Sequence, residues 1–218
     1  MSEDDFNIYD EFPMLIEDLK SNDLLPALVF MNYRYGTEML AESLMQHVDK
    51  KIKKSSKIKS LQEKYESLGG GINQLSRFTK TKSKDERDGT VHVSEENLDL
   101  LNNLTLEIDT EIQKLAFSSK IPVTQKIKQK IVDKMVTKDK VEDKMVQKQI
   151  KYGIGFHHAG RNQKHRRAVE MLYRSRNIQV VTATATLSLG INMPCRTVVF
   201  AGDDQYLDAL SYRQMSGI

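Results

Sequence analysis

YGIGFHHAGRNQKHRRAVEMLYRSRNIQVVTATATLSLGINMP, residues 152–194, decides the fold. Within it IQVVTAT, residues 178–184, is short, β-branched and mostly apolar, the pattern of a strand buried on both faces of a parallel sheet. After it, residues 186–194 read TLSLGINMP: a hydroxyl suited to cap a short helical turn, then Gly190 and Asn192, which tolerate unusual backbone angles, closed by Pro194. Loops of this kind at strand carboxyl ends are where open α/β sheets hold ligands. A second apolar strand is predicted over residues 197–201. The preceding unit repeats the pattern. Residues 152–156 read as a glycine-rich apolar strand and 157–160 as a turn. Residues 162–174 read as a helix with its apolar face on Ala168, Val169, Leu172 and Tyr173.

Far upstream, LPALVFMNYRYGTEMLAESL, residues 25–44, reads as a buried strand feeding an amphipathic helix. Together these blocks resemble the second RecA-like lobe of superfamily-two DExH-box RNA helicases, of the superkiller type and its antiviral, interferon-linked relatives. Residues 25–44 resemble motif IV. GFHHAG followed by HRRAVE resembles the segment between motifs IV and V, TATATLSLGINMP resembles motif V, and SYRQMSG resembles the start of motif VI. The likeness implies an α/β fold: a RecA-like open parallel sheet flanked by helices, here carrying a long lysine-rich helical insertion. It also implies ATP and Mg2+ as cofactors of the complete enzyme. The implied partners are RNA, single-stranded or duplex with an overhang, and a first helicase lobe.

The resemblance distributes roles, and each residue also has a plain structural reading. Thr184 and Thr186 present hydroxyls to RNA phosphates, or cap the helical turn. Gly190 and Asn192 reach the nucleotide between the lobes, or form an ordinary tight loop held by Pro194. Gln214 touches nucleotide or couples the two sites. Arg34 contacts RNA, or is an exposed arginine at a strand end. His157 and His158 end a strand, where adjacent side chains point oppositely, so at most one is expected to face a ligand. Without neighbouring cysteines or carboxylates in the chain they are not expected to bind metal. Gly160 lets a phosphate approach the backbone, or serves a turn. Arg161, Lys164, His165, Arg166 and Arg167 read as a basic helix start, suited to phosphate or simply solvated.

Departures from the family pattern bound the activity expected. There is no GxxxxGKS/T phosphate cradle and no DExH carboxylate pair, both first-lobe elements. Ile218 stands where the first motif VI arginine would fall, and such arginines stabilise charge on a transferring phosphoryl group. The expectation is an incomplete lobe, truncated within motif VI, that does not hydrolyse ATP alone. The alternatives are a stand-alone RNA-binding or regulatory module and a protein-interaction scaffold.

Composition excludes other classes. With 39% hydrophobic residues and a mean hydropathy of −0.51, the 218 residues provide one substantial core and much solvated surface. No apolar run approaches the ~18 residues of a membrane span, and the acidic start is unlike a secretory signal, so no membrane partner and a cytoplasmic location are expected. The single cysteine, Cys195, makes no internal disulfide and reads as a small core residue.

Charge is segregated. Residues 1–20 carry seven acids against one lysine, residues 50–64 seven lysines against one acid, and residues 120–151 ten lysines against four acids. The basic blocks are suited to phosphates or form solvated surface. The domain organisation expected is an acidic segment at 1–20, the lobe at 21–45 and 150–218, and an insertion at 46–149. Within the insertion, Ser94 precedes an amphipathic run through Leu98, Leu101, Ile108, Ile112 and Leu115, and DKMV occurs at 133–136 and 143–146. A projecting helical hairpin is expected, with a disordered connection across Gly69, Gly70, Gly71 and residues 79–90, and with room for a protein partner.

Overall fold

The computed structural model describes residues 7–68, 95–118, 141–187, 193–202 and 212–213. The glycine run at 69–71, the stretch 79–90 and the first DKMV repeat lie outside them.

Four strands form one parallel sheet: β1 (Ala27–Phe30), β2 (Ile154–His157), β3 (Val180–Ala183) and β4 (Thr197–Phe200), in the order β2-β3-β1-β4. Strand β1, drawn from more than a hundred residues upstream, lies between β3 and β4, with Ala27 opposite Val180 and Thr197. Its sequence ALVF is buried throughout, as is VVTA of β3, because both interior strands are covered on two faces. β4 closes one edge and is only half-buried.

Among the described residues six helices accompany the strands: α1 (Ile8–Ser21), α2 (Arg34–Lys54), α3 (Ser56–Ser67), α4 (Glu95–Leu115), α5 (Val141–Lys151) and α6 (Gln163–Arg174). α2 and α6 lie on opposite faces of the sheet. Thr182 of β3 donates its hydroxyl to the Thr37 carbonyl of α2 at 2.7 Å. Gly155, paired with the neighbouring register position Val181, faces Val169 of α6. The acidic N-terminal segment enters α1, with Asn7 as its cap, and buries Phe12 and Ile16. α1 meets α2 through Glu17 and His47, 3.4 Å apart, and through Ser43, whose hydroxyl donates to the Tyr9 carbonyl.

Two strands start later than the sequence pattern predicts. Tyr152 and Gly153 donate their N–H groups to Lys148 and Ile150, so they close α5 and leave β2 to begin at Ile154. Asn177 and Ile178 both donate to Leu172, finishing α6 before β3 begins at Val180.

The chain separates into two compact units, one of residues 1–49 and 116–218 that holds the sheet, the other Lys50–Leu115. In the second, α3 and α4 pack side by side. Ser55 caps α3, which buries Ile58 and Leu61. Lys57 of α3 pairs with Glu111 of α4 at 2.7 Å, so the basic block at 50–64 is partly answered by an acidic helix of the same unit.

Candidate functional site

The carboxyl ends of all four strands meet along one edge, tied by backbone hydrogen bonds. Met31 N–H, just past β1, donates to the Ala183 carbonyl of β3 at 2.9 Å. Thr184 N–H donates to His157 of β2 at 3.2 Å, and Ala201 N–H to Phe30 of β1 at 2.8 Å. Arg34, His157, His158, Gly160 and Thr184 are thereby gathered at one edge.

His157 and His158 go to different helices, as alternation along an extended backbone requires. His157 is 3% exposed, and its Nε2 lies 2.9 Å from Glu170 of α6. Burial holds its pKa below the usual histidine value, against the pull of Glu170. His158, 4% exposed, lies 2.7 Å from Glu38 of α2 through Nε2, while its Nδ1 accepts the Gly160 N–H at 3.1 Å. Accepting at Nδ1 requires a lone pair there, which assigns the proton to Nε2 and makes Glu38 its acceptor. The same Glu38 Oε1 accepts from Arg161 Nε at 3.1 Å, and Arg161 Nη2 lies 3.0 Å away. Arg161 also rests on the Phe156 ring, 4.9 Å from its centroid.

Gly160 sits at a tight approach of two side chains. A Cβ there would lie 3.0 Å from His158 Nδ1 and 3.3 Å from Arg34 Cδ. The HHAG turn and the start of α2 are thus one packed unit, with the exposed Arg34 alongside it.

The basic helix start is smaller than its sequence suggests. His165 turns inward, its Nε2 3.0 Å from the Phe156 carbonyl, and burial pushes its pKa down to about 4, so it is neutral near pH 7. Arg161 is engaged by Glu38, leaving Lys164 and Arg167 as the exposed cations of that run and Arg166 half-buried. Thr184 is buried, and its carbonyl accepts from Leu187 across the 3-10 turn Ala185–Leu187. Cys195, expected in the core, is only half-buried. The side chain of Thr186 and all of Gly190, Asn192 and Gln214 lie outside the described residues. Among the described residues no cluster of three His, Cys, Asp or Glu side chains could hold a metal ion.

Sequence reasoning missed Glu38 and Glu170, the partners of the two histidines. Glu38 lies one turn into α2 and Glu170 two turns into α6, and neither position signals its partner along the chain. It also passed over Tyr33 and Tyr35, which flank Arg34.

Comparison with known proteins agrees with this geometry. Residues 112–217 match the family model described as the helicase conserved C-terminal domain. An uncharacterized helicase of Caenorhabditis elegans is 31% identical over 93% of this chain and 12% of its own length. A human protein named probable ATP-dependent RNA helicase DDX60-like is 32% identical over 94% of this chain and 13% of its own length. An ATP-dependent DNA helicase, Hel308 of Methanococcus vannielii, is 46% identical over 26% of this chain and 8% of its own length. The chain therefore spans about an eighth of the length of the first two relatives. With its parallel sheet, gathered strand exits and these relatives, the chain belongs to the superfamily-two helicases and carries their conserved C-terminal lobe.

Proposed function

We propose that this lobe works as the second half of an ATP-dependent RNA helicase, contributing RNA-backbone contacts and one wall of an ATP cleft, and that it is inactive alone. The observation that carries the reading is the insertion of β1 between β3 and β4, which brings Arg34, the HHAG turn and Thr184 to one edge. Phosphate contacts need cations, and the exposed Arg34 at the strand exits supplies one. No base edge is read by such a surface, so affinity should be sequence-independent and salt-dependent.

ATP and Mg2+ belong to the complete enzyme in this proposal. Gly190, Asn192 and Gln214 would face the nucleotide on the strength of their motif positions alone. Carboxylates for the metal and a lysine for the phosphates would come from the first lobe, whose motifs this sequence does not contain. A relative named as an RNA helicase supports RNA, and one named as a DNA helicase makes DNA the competitor to test. Residues 46–149 are read as an insertion with its own protein partner. Matches spanning 93–94% of the chain run through that region, and α4 leaves Leu100 and Leu106 exposed.

The test is binding of single-stranded RNA by the 218-residue chain across a salt series, with DNA of the same sequence in parallel. Affinity should fall with salt, and Arg34→Ala should flatten the log–log slope by roughly 0.7, the share of one phosphate contact on a single strand. ATPase activity should appear only when a first lobe and a full motif VI are joined to the chain. Absence of RNA binding at low salt, or an inert joined protein, would reject the proposal.

A further inference from the structure

One surface at the strand exits is unaccounted for by phosphate contact: two tyrosines exposed on either side of Arg34. Tyr35 is 67% exposed and Tyr33 47%, although a tyrosine ring ordinarily covers apolar surface. Tyr33 is held in place. Its ring lies against Gly36, where a Cβ would meet Cε2 at 2.6 Å, and its hydroxyl is 2.5 Å from that of Tyr9. Tyr9 belongs to α1, whose carbonyl at that residue accepts from Ser43 of α2. Burial and the contact with Tyr33 push the Tyr9 pKa up to about 12, so the Tyr9 phenol stays neutral at working pH. Tyr35 follows on the other side of Arg34 in the chain and is the more exposed of the two flanking tyrosines.

Between them in the chain is Arg34, whose Cδ lies over Gly160, and beyond it Arg161 pairs with Glu38. Asp10 and Glu11 follow Tyr9 in the first turn of α1 and add negative charge there. One end of the arrangement presents the exposed tyrosine rings and the other the exposed Arg34 cation. A nucleotide of a single strand has the same polarity, with a flat neutral base at one end and a phosphate at the other.

We infer that Tyr35, with Tyr33 beside it, is a stacking platform for one base of a single strand whose phosphate lies on Arg34. The inference rests on the RNA-binding reading above and adds a base contact to it. Base–aromatic stacking tolerates any sequence because every base has a π face, so it gives grip without specificity.

A single-stranded RNA of about ten nucleotides carrying 2-aminopurine tests it, because the fluorescence of that base responds to stacking. The full chain should change the fluorescence on binding. Tyr35→Ala and Tyr35→Leu should remove the change and weaken binding roughly tenfold, the scale of one lost stacked base. Tyr35→Phe should keep both signals. On an RNA of the same length with abasic positions, wild type and Tyr35→Ala should bind alike. At this exposure the substitutions should leave the circular dichroism spectrum and urea midpoint unchanged, which separates lost contact from lost fold. If wild type binds RNA but Tyr35→Ala matches it in affinity and fluorescence, the stacking inference falls and the phosphate reading stands. If the abasic RNA is weakened as much as the intact one, stacking is likewise overturned. If wild type binds no RNA, both readings fall.

Discussion

In the sheet, twelve of sixteen strand residues are buried, whereas in helix α4 none of residues 99–115 is. The strands take β-branched and small apolar residues from four places in the chain and cover them on two faces. The helix carries leucines and isoleucines at helical spacing, yet Leu101, Leu104, Ile108, Ile112 and Leu115 all stay half-buried. The difference shows where folding free energy is concentrated. Apolar area removed from water stabilises by ~25 cal/mol per Å2, so a pattern counts only as far as its residues are covered. An amphipathic stripe is an opportunity for burial and not a measure of it.

One pair of substitutions probes the contrast directly. Leu172, in α6, is 0% exposed, and Leu106, in α4, is 62% exposed. Leu172→Ala should cost ~2–5 kcal/mol, the range for a buried leucine whose cavity closes only partly. Leu106→Ala should stay within about 0.5 kcal/mol. Urea unfolding followed by circular dichroism gives both values. Similar losses at the two sites would mean that α4 is covered in solution, and the contrast would break.

The same contrast explains what could be read from the sequence. Doubly buried strands announce themselves, because VVTA and ALVF offer no polar face and suit nothing else of that length. Their pairing across more than a hundred residues came only from resemblance, since no local pattern reports which strand a strand will neighbour. Strand starts moved by two residues where the preceding helix claimed N–H groups to finish its last turn, a competition invisible to hydropathy. At the site, positions were legible and directions were not. His165 stood among cations and was read with them. Yet it precedes Ala168 and Val169 by three and four residues, on the buried stripe of α6, and helical spacing alone would have turned it inward. Glu38 and Glu170 looked like two more charges on solvated faces, because a carboxylate's partner from another element leaves no trace along the chain.

That inward turn makes part of the site region sensitive to acid. His165 titrates near pH 4 in the folded chain and near 6.5 when unfolded, with burial as the main cause and the Phe156 carbonyl opposing it. Between those values the unfolded chain binds the extra proton, so this contribution is complete above pH 6.5 and is lost as pH falls towards 4. The loss is on the order of 3 kcal/mol. Burial moves His157 in the same direction. Carboxylates titrate in the same range, so the useful quantity is a difference. The unfolding free energy of wild type minus that of His165→Gln should rise between pH 4 and 6.5 and level off above. Parallel curves would show that the imidazole is hydrated in the folded chain, and the sheet unit would be less dry at its edge than its burial implies.

The smallest effect is expected where the α3–α4 pair looks best connected. Glu111 accepts from Lys57 of α3 at 2.7 Å and from Lys114 of its own helix at 2.6 Å, a three-charge cluster that invites a stabilising role. Those lysine side chains are 58% and 61% exposed, so each pair exchanges well-hydrated ions for a contact in high dielectric and gives up side-chain freedom to hold it. Pairing draws the Glu111 carboxyl below its ordinary value and raises the Lys57 ammonium, yet both lysines stay largely in water, so salt screens the pairs. Glu111→Gln should therefore leave the urea midpoint unchanged within error at physiological ionic strength, with any small loss at low salt vanishing as salt is added. A clear fall in midpoint that persists in salt would require the cluster to be sheltered from water. The α3–α4 pair would then be held by charge where the sheet is held by apolar burial, and the two units would differ in the kind of stabilisation and not only in its amount.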